Sequence, residues 1–189
     1  MMRNIFLMMA VFLLFISCKQ KLTEGEAADF KKQGIEIVES ATKELGMNLM
    51  SKMKEGGVDL AIPFCHASAM PITGEIAKKY QAEIKRTSYK IRNPKNIPNE
   101  EETEILTQFL NSYKTGIPAE SIVQKVNDNK IVFYAPIIMK KQCLACHGIV
   151  GQELAIRTDS IIKSFYPDDQ ATGFKEGELR GLWKVTFNK

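Results

Sequence analysis

Residues 131–147 read IVFYAPIIMKKQCLACH. The first nine, 131–139, are apolar on both faces, which predicts a strand in the centre of a sheet. The residues Asn127-Asp128-Asn129 predict a turn, and the segment 123–126 before it predicts the partner strand of an antiparallel hairpin. The last five residues place two cysteines and a histidine directly after the central strand.

The chain before this hairpin has the apolar periodicity of helices. Apolar residues three or four apart predict one helix over 30–53, ended by Gly56-Gly57. Asp59 is expected to cap a second helix, which Pro71 should kink because proline lacks an amide donor. A third helix is predicted over 100–113.

Two further segments complete the predicted fold. Prolines and asparagines in 86–100 predict a loop of turns, and the alternation of apolar and polar residues in 183–188 predicts a half-exposed last strand. Helices first and antiparallel strands later indicate an α+β fold, with N-terminal helices packed on an antiparallel sheet.

The composition is that of a single globular domain. The chain has 189 residues, of which 44% are hydrophobic and 25% charged, and this excludes a disordered, collagen-like or multi-span membrane protein. The formal net charge is +4, from 26 Lys and Arg against 22 Asp and Glu. So small an excess gives no reason to expect a nucleic-acid partner.

The first residues have the pattern of an export signal. Arg3 is followed by twelve apolar residues, 5–16, too few to span a bilayer, and then by Ser17 and Cys18. The segment 1–17 resembles a lipoprotein-type signal peptide. Cys18 would then carry the lipid, and 18–28 would form a tether. The alternative is a plain secretory signal that contains a cysteine.

This pattern gives the expected location and domain boundary. We expect the mature protein on the periplasmic side, anchored by lipid to the inner or outer bacterial membrane, with a folded domain over 29–189.

Residues 143–147, Cys-Leu-Ala-Cys-His, have the C-x-x-C-H spacing of a c-type haem attachment site. Cys143 and Cys146 would bind the two vinyl groups covalently, and His147 would be an axial ligand of the iron. A redox dithiol and a zinc half-site are the alternatives. A structural zinc site usually has four protein ligands, and a thioredoxin-like dithiol would be expected near a βαβ unit. The pattern therefore favours one covalent haem c.

Cys65 is the cysteine left without an assignment. It is a buried small hydrophobe, a partner in an inter-chain disulfide, or the second axial ligand. The competing ligands are His66 and methionines, since His and Met are common in electron-transfer haems. Cys65 shares an apolar helical stripe with small residues, whereas His66 lies about 100° round the helix. The methionines considered are Met47, Met50, Met53, Met70 and Met139.

The order of motifs resembles a family of single-haem c-type proteins with a PAS-like fold. The matching features cover roughly 30–188. They are Cys65 with Ala69-Met70-Pro71, Arg86-Thr87-Ser88, Arg92-Asn93-Pro94 with Asn96 and Pro98, Cys143–His147 with Gly148, Tyr166-Pro167, Ala171-Thr172-Gly173 and Leu179-Arg180-Gly181. The resemblance implies that Cys65 and His147 are the two axial ligands. His66 departs from the family pattern and keeps a Cys-to-His switch open.

These expectations lead to two functions. A thiolate stabilises ferric iron, so Cys65 could protonate and leave on reduction. The protein would then act as a redox or gas sensor that signals through a protein partner. The alternative is a low-potential electron-transfer cytochrome with a redox partner. An enzyme is not expected, because two strong ligands leave no open coordination position.

Three arginines are candidates for the haem carboxylates. Arg86 and Arg92 would pair with the propionates, because Arg binds carboxylates bidentately. The alternative is that both lie in a solvated loop. Arg180 is a weaker candidate of the same kind.

Overall fold

The computed structural model describes residues 22–188. Five helices surround a four-stranded sheet, which confirms the α+β prediction. The helices are α1 (Glu24–Gly56), α2 (Val58–Lys79), α3 (Glu100–Lys114), α4 (Leu144–His147) and α5 (Ile156–Phe165), and the strands are β1 (Ala82–Thr87), β2 (Ile122–Asn127), β3 (Lys130–Ile138) and β4 (Leu179–Asn188). Cys18 and the predicted signal segment 1–17 lie outside the described residues.

The sheet is antiparallel throughout, in the order β1-β4-β3-β2. The hairpin β2–β3 and the central position of β3 are as predicted. Helices α1 and α2 cover one face of the sheet, and α3 covers the other. Because side chains alternate along a strand, each central strand contributes to two different cores.

The first helix begins earlier than the sequence suggested. Thr23 caps it: the Thr23 hydroxyl accepts from the Glu26 N–H, and the Glu26 carboxylate accepts from the Thr23 N–H, a capping box. Helix α1 therefore starts at Glu24, inside the segment 18–28 that was expected to be a tether.

The last strand is not half-exposed as predicted. Strand β4 is buried from Leu179 to Phe187, apart from the half-buried Arg180. Of the polar residues in its alternating pattern, Lys184 and Thr186 are buried on the side that α3 covers, whereas Asn188 is exposed. Lys184 is 9% exposed, because the carboxylates of Glu101 and Glu102 on α3 accept its hydrogen bonds.

One local expectation also changes. The predicted loop 86–100 loses its first residues to β1, which pairs along its whole length with β4. Helix α2 continues without interruption through Pro63 and Pro71, and the kink predicted at Pro71 stays a prediction. Within residues 22–188, no helix combines the length and apolarity that a bilayer span requires.

Candidate functional site

A cavity of about 420 Å³ lies between α1, α2, the sheet and the segment around α4. Its size is within the range of roughly 300–1,000 Å³ typical of cofactor and ligand sites. Six of the predicted site residues line it together: Cys65, Cys143, Cys146 and His147, with Arg86 and Arg92. The fold thus brings a cysteine of α2 to the same cavity as a motif about 80 residues later in the chain.

His147 ends α4 with its ring at the cavity. Its Nδ1 lies 2.7 Å from the carbonyl oxygen of Ala171. A carbonyl only accepts, so Nδ1 carries the proton and Nε2 keeps its lone pair. Burial lowers the pKa of His147 well below its ordinary value, and the charges of Arg92 and Arg180 lower it further. The ring is therefore neutral and suited to bind a metal through Nε2.

Cys65 lies on the cavity face of α2, beside the small side chains of Ala61 and Ala69. Burial raises the pKa of the Cys65 thiol, and the nearby Cys146 raises it further, while Arg86 and Arg92 act in the opposite direction. The position follows the helical stripe seen in the sequence.

His66 is placed differently. It is exposed and is not among the residues that line the cavity. Its ring packs instead against Phe165 and Tyr166, at centroid distances of 5.5 and 4.9 Å.

The candidate methionines divide into two groups. Met70 and Met139 line the cavity, whereas the cavity lining does not include Met47, Met50 or Met53. Met139 is 2% exposed and belongs to a small apolar core with Leu144.

Arg92 does not lie in a solvated loop. Its side chain is 15% exposed and forms an ion pair with Asp169, whose side chain is fully buried. Arg92 also donates to the carbonyl oxygens of Cys146 and Ala171. The predicted propionate ligand is therefore already occupied by a carboxylate and two carbonyls.

The other two arginines have no ion-pair partner in the part of the chain that the structure describes. Arg86 lies over the ring of Trp183, 5.3 Å from its centroid, and forms no ion pair within residues 22–188. Arg180 donates to Ser88 Oγ and to the carbonyl of Lys90, both uncharged acceptors. No residue that lines the cavity is acidic. Asp169 is paired with Arg92, so Arg86 and Arg180 face the cavity without an ion-pair partner among residues 22–188, although the charge of Asp169 also acts on Arg180.

The sequence did not identify the segment that supports His147. Residues 169–174 are held against the motif by backbone bonds from Gly173 N to Gly148 O at 2.8 Å and from Phe174 N to His147 O at 3.0 Å. No pattern in 166–173 distinguishes the buried Asp169 from the neighbouring Asp168, because both follow the same proline and their burial is set by the distant Arg92.

Comparison with known proteins identifies a family and a similar fold. A family model described as Tll0287-like matches residues 19–188. The crystal structure of the cyanobacterial heme-protein Tll0287 is similar, with a TM-score of 0.59 and 23% sequence identity over 89% of this chain and 98% of that chain. This likeness confirms the PAS-like fold expected from the motifs. No curated protein matches the chain.

Proposed function

This chain belongs to the Tll0287-like family, and we propose from that premise that it is a haem-binding protein with one covalent haem c. The observation that carries the proposal is the convergence on one cavity of Cys143, Cys146, His147 and, from another helix, Cys65. The solved structure of similar fold is that of a heme-protein, which supports the same cofactor here.

The cavity fits this group in its chemistry as well as in its size. Two thiols and a neutral imidazole belong to one five-residue segment, as covalent attachment and axial ligation require. Arg86 and Arg180 supply two positive charges that have no ion-pair partner among the described residues, and these match the two propionates of a haem. In this proposal Arg92 supports the site from behind and is not a propionate ligand.

His147 of α4 and Cys65 of α2 are the proposed axial ligands, since both line the same cavity. Bound there, a haem c supplies an iron centre that exchanges one electron. Ferric iron favours the Cys65 thiolate. With haem c bound, Cys65 would hold the ferric state as a thiolate, and after one-electron reduction by a redox partner it would take up a proton from solvent and be released. The raised pKa of Cys65 in its buried position favours this release.

Ligand release makes the protein a redox or gas sensor in this proposal. The side of the cavity left by Cys65 would admit a small gas molecule, and a signalling partner would respond to the two states. The second candidate is a low-potential electron-transfer cytochrome, favoured by the buried cysteine as a fixed ligand. In both cases we propose an exported protein held at the membrane by lipid on Cys18. We propose no enzymatic activity.

The test is an absorption spectrum of the purified haem-loaded protein, oxidised and reduced. We expect colour that stays with the chain after acid-acetone extraction and a ferric low-spin thiolate spectrum. Cys65→Ser should change that spectrum, and the adjacent control His66→Ala should not. A colourless or zinc-bound protein from a host that matures c-type cytochromes would refute the proposal, and the reverse pattern of the two variants would refute the ligand assignment.

Carbon monoxide separates the two candidate functions. A sensor that releases Cys65 binds carbon monoxide rapidly when reduced, and Cys65→Ser binds it at a similar rate. A carrier that retains Cys65 does not bind it in the unsubstituted protein, while Cys65→Ser does.

A further inference from the structure

The ion pair of Arg92 and Asp169 joins two segments 77 residues apart. Arg92 Nε donates to Asp169 Oδ1 at 3.1 Å and Nη2 donates to Oδ2 at 2.9 Å, the bidentate geometry of a strong pair. Asp169 is fully buried on its side chain. Burying a carboxylate without a charged partner costs free energy, so we expect the fold to keep both members of this pair or neither.

The pair also holds the backbone around the proposed haem ligand. Arg92 Nη2 donates to the carbonyl of Cys146 at 2.7 Å and to that of Ala171 at 3.3 Å. Asp169 Oδ1 accepts from the N–H of Ala171 at 2.9 Å. The same Ala171 carbonyl accepts from His147 Nδ1 at 2.7 Å. The ion pair thus binds both the backbone N–H and the carbonyl of Ala171, and the same carbonyl contacts the imidazole.

We propose that Arg92 and Asp169 are positioning residues that set the orientation and electron donation of His147 through the Ala171 peptide. This inference rests on the proposed function, because it concerns the ligand of that group, and it goes further by naming the residues that tune it. A hydrogen bond to Nδ1–H makes an imidazole more basic at Nε2, and partners of this kind commonly alter metal binding by roughly 10–100-fold.

Arg92 and His147 share one acceptor, and this sharing fixes the direction of the effect. When both donate to the Ala171 carbonyl, each receives less of its electron density. Weakening the Arg92 bond strengthens the bond from His147, makes the ring a better donor and favours ferric iron. Removing the charge of Asp169 turns Arg92 more fully toward the carbonyl, weakens the bond from His147 and favours ferrous iron.

The two substitutions Arg92→Lys and Asp169→Asn therefore have opposite expected effects on the haem-loaded protein. Arg92→Lys keeps the charge and loses the bidentate geometry, and it should lower the reduction potential. Asp169→Asn is isosteric and should raise it. We expect each to change the ferric-to-ferrous ratio about tenfold, which is about 59 mV for a one-electron couple.

The matched control is an exposed Arg–Asp ion pair. Arg157 Nη2 lies 2.7 Å from both carboxylate oxygens of Asp59, with both side chains more than half exposed. Arg157→Lys and Asp59→Asn make the same chemical changes away from the cavity. Their potentials should equal that of the unsubstituted protein.

Potentiometric titration and thermal unfolding of all four variants test the inference. Shifts of at least threefold in the stated opposite directions, with the controls unmoved, support it. If the variants are less stable to heat but their reduction potentials shift by less than this, or shift in the same direction, the pair is merely structural and the inference is overturned. If Arg92→Lys does not fold, the sign of the Asp169→Asn shift decides. An unsubstituted protein without haem would overturn the proposed function instead, which is a separate result.

Discussion

Replacing Glu102 with Gln should strongly destabilise the protein and leave the cavity unchanged. Lys85 in β1 and Lys184 in β4 are directly opposite each other in the sheet, and like charges in that position repel. Glu102, with a side chain 2% exposed, accepts from Lys85 at 2.6 Å and from Lys184 at 3.1 Å. It also accepts from the backbone N–H of Asn99 and so caps α3.

The magnitude follows from these contacts. A hydrogen bond to a charged group contributes about 1.5–3 kcal/mol and a neutral one about 0.5–1.5 kcal/mol, so two weakened bonds cost about 2–3 kcal/mol. Breaking a fully buried ion pair costs about 3–5 kcal/mol, but the Lys85 side chain is 35% exposed and water offsets part of its loss. We expect a loss of about 2–4 kcal/mol, which for a domain of this size lowers the Tm by about 4–16 °C.

The pH dependence gives a sharper test. Burial alone would raise the pKa of Glu102, but hydrogen bonds from Lys85, the Asn99 backbone and Lys184 outweigh it and lower the pKa. The carboxylate therefore stabilises the fold fully above the ordinary glutamate pKa. Its contribution disappears as the pH falls through the lower pKa of the folded state.

Urea unfolding of Glu102→Gln and of the exposed control Glu104→Gln, from pH 7 to pH 3, measures this. The difference in the free energy of unfolding between Glu102→Gln and the unsubstituted protein should be constant down to about pH 5 and should shrink below it. The absorption spectrum of the haem-loaded variant should not change, because Lys85 and Lys184 face away from the cavity. A difference in the free energy of unfolding below 0.5 kcal/mol at pH 7, or one that does not shrink between pH 5 and pH 3, would refute the reasoning.

Two further substitutions test the packing and charge of the site. Gly181→Ala should lower the free energy of unfolding by about 1–3 kcal/mol, because a Cβ there would overlap the Thr87 carbonyl and lie 3.1 Å from Ser88 Cβ. The control is the helical substitution Gly74→Ala, whose Cβ has nothing within 4 Å. In the same thermal melts this control should be neutral or stabilising. Arg86→Gln should destabilise the haem-loaded protein by about 1.5–3 kcal/mol, because it loses the charge-assisted hydrogen bond to a haem propionate. Arg86→Lys should recover part of this stability. Equal stability of all three proteins would exclude Arg86 as a carboxylate partner.

The elements that sequence predicted best are those whose signal is local. The hairpin of β2 and β3 has a turn between two apolar runs, and α3 has both an apolar stripe and a clear start after Asn99. In β4 the alternating pattern was visible, but its meaning depended on what covers the second face. Lys184 looked solvent-exposed because its carboxylate partners lie about 80 residues earlier in the chain.

The candidate site shows the same division between features with a local sequence pattern and features that depend on residues distant in the chain. The three chemical groups of Cys143–His147 are recognisable from spacing alone, whereas the helical stripe left Cys65 as one of several candidates and the family resemblance singled it out. The role of Arg92 was not predictable, because an arginine in a loop rich in proline and asparagine gives no sign of a buried acidic partner. Asp169 was missed for the same reason, since only the folded chain brings it to Arg92.

Neighbouring residues of β1 and β4 face opposite sides of the sheet. Arg86 and its cross-strand partner Trp183 line the cavity, while Lys85 and Lys184, one residue away in each strand, belong to the ionic cluster beneath α3. A single residue inserted into β4 would exchange these roles, sending Lys184 into the cavity and the ring of Trp183 among carboxylates. Evolution of this fold is therefore expected to add or remove residues in the connection 115–121, and to leave the lengths of β1 and β4 alone.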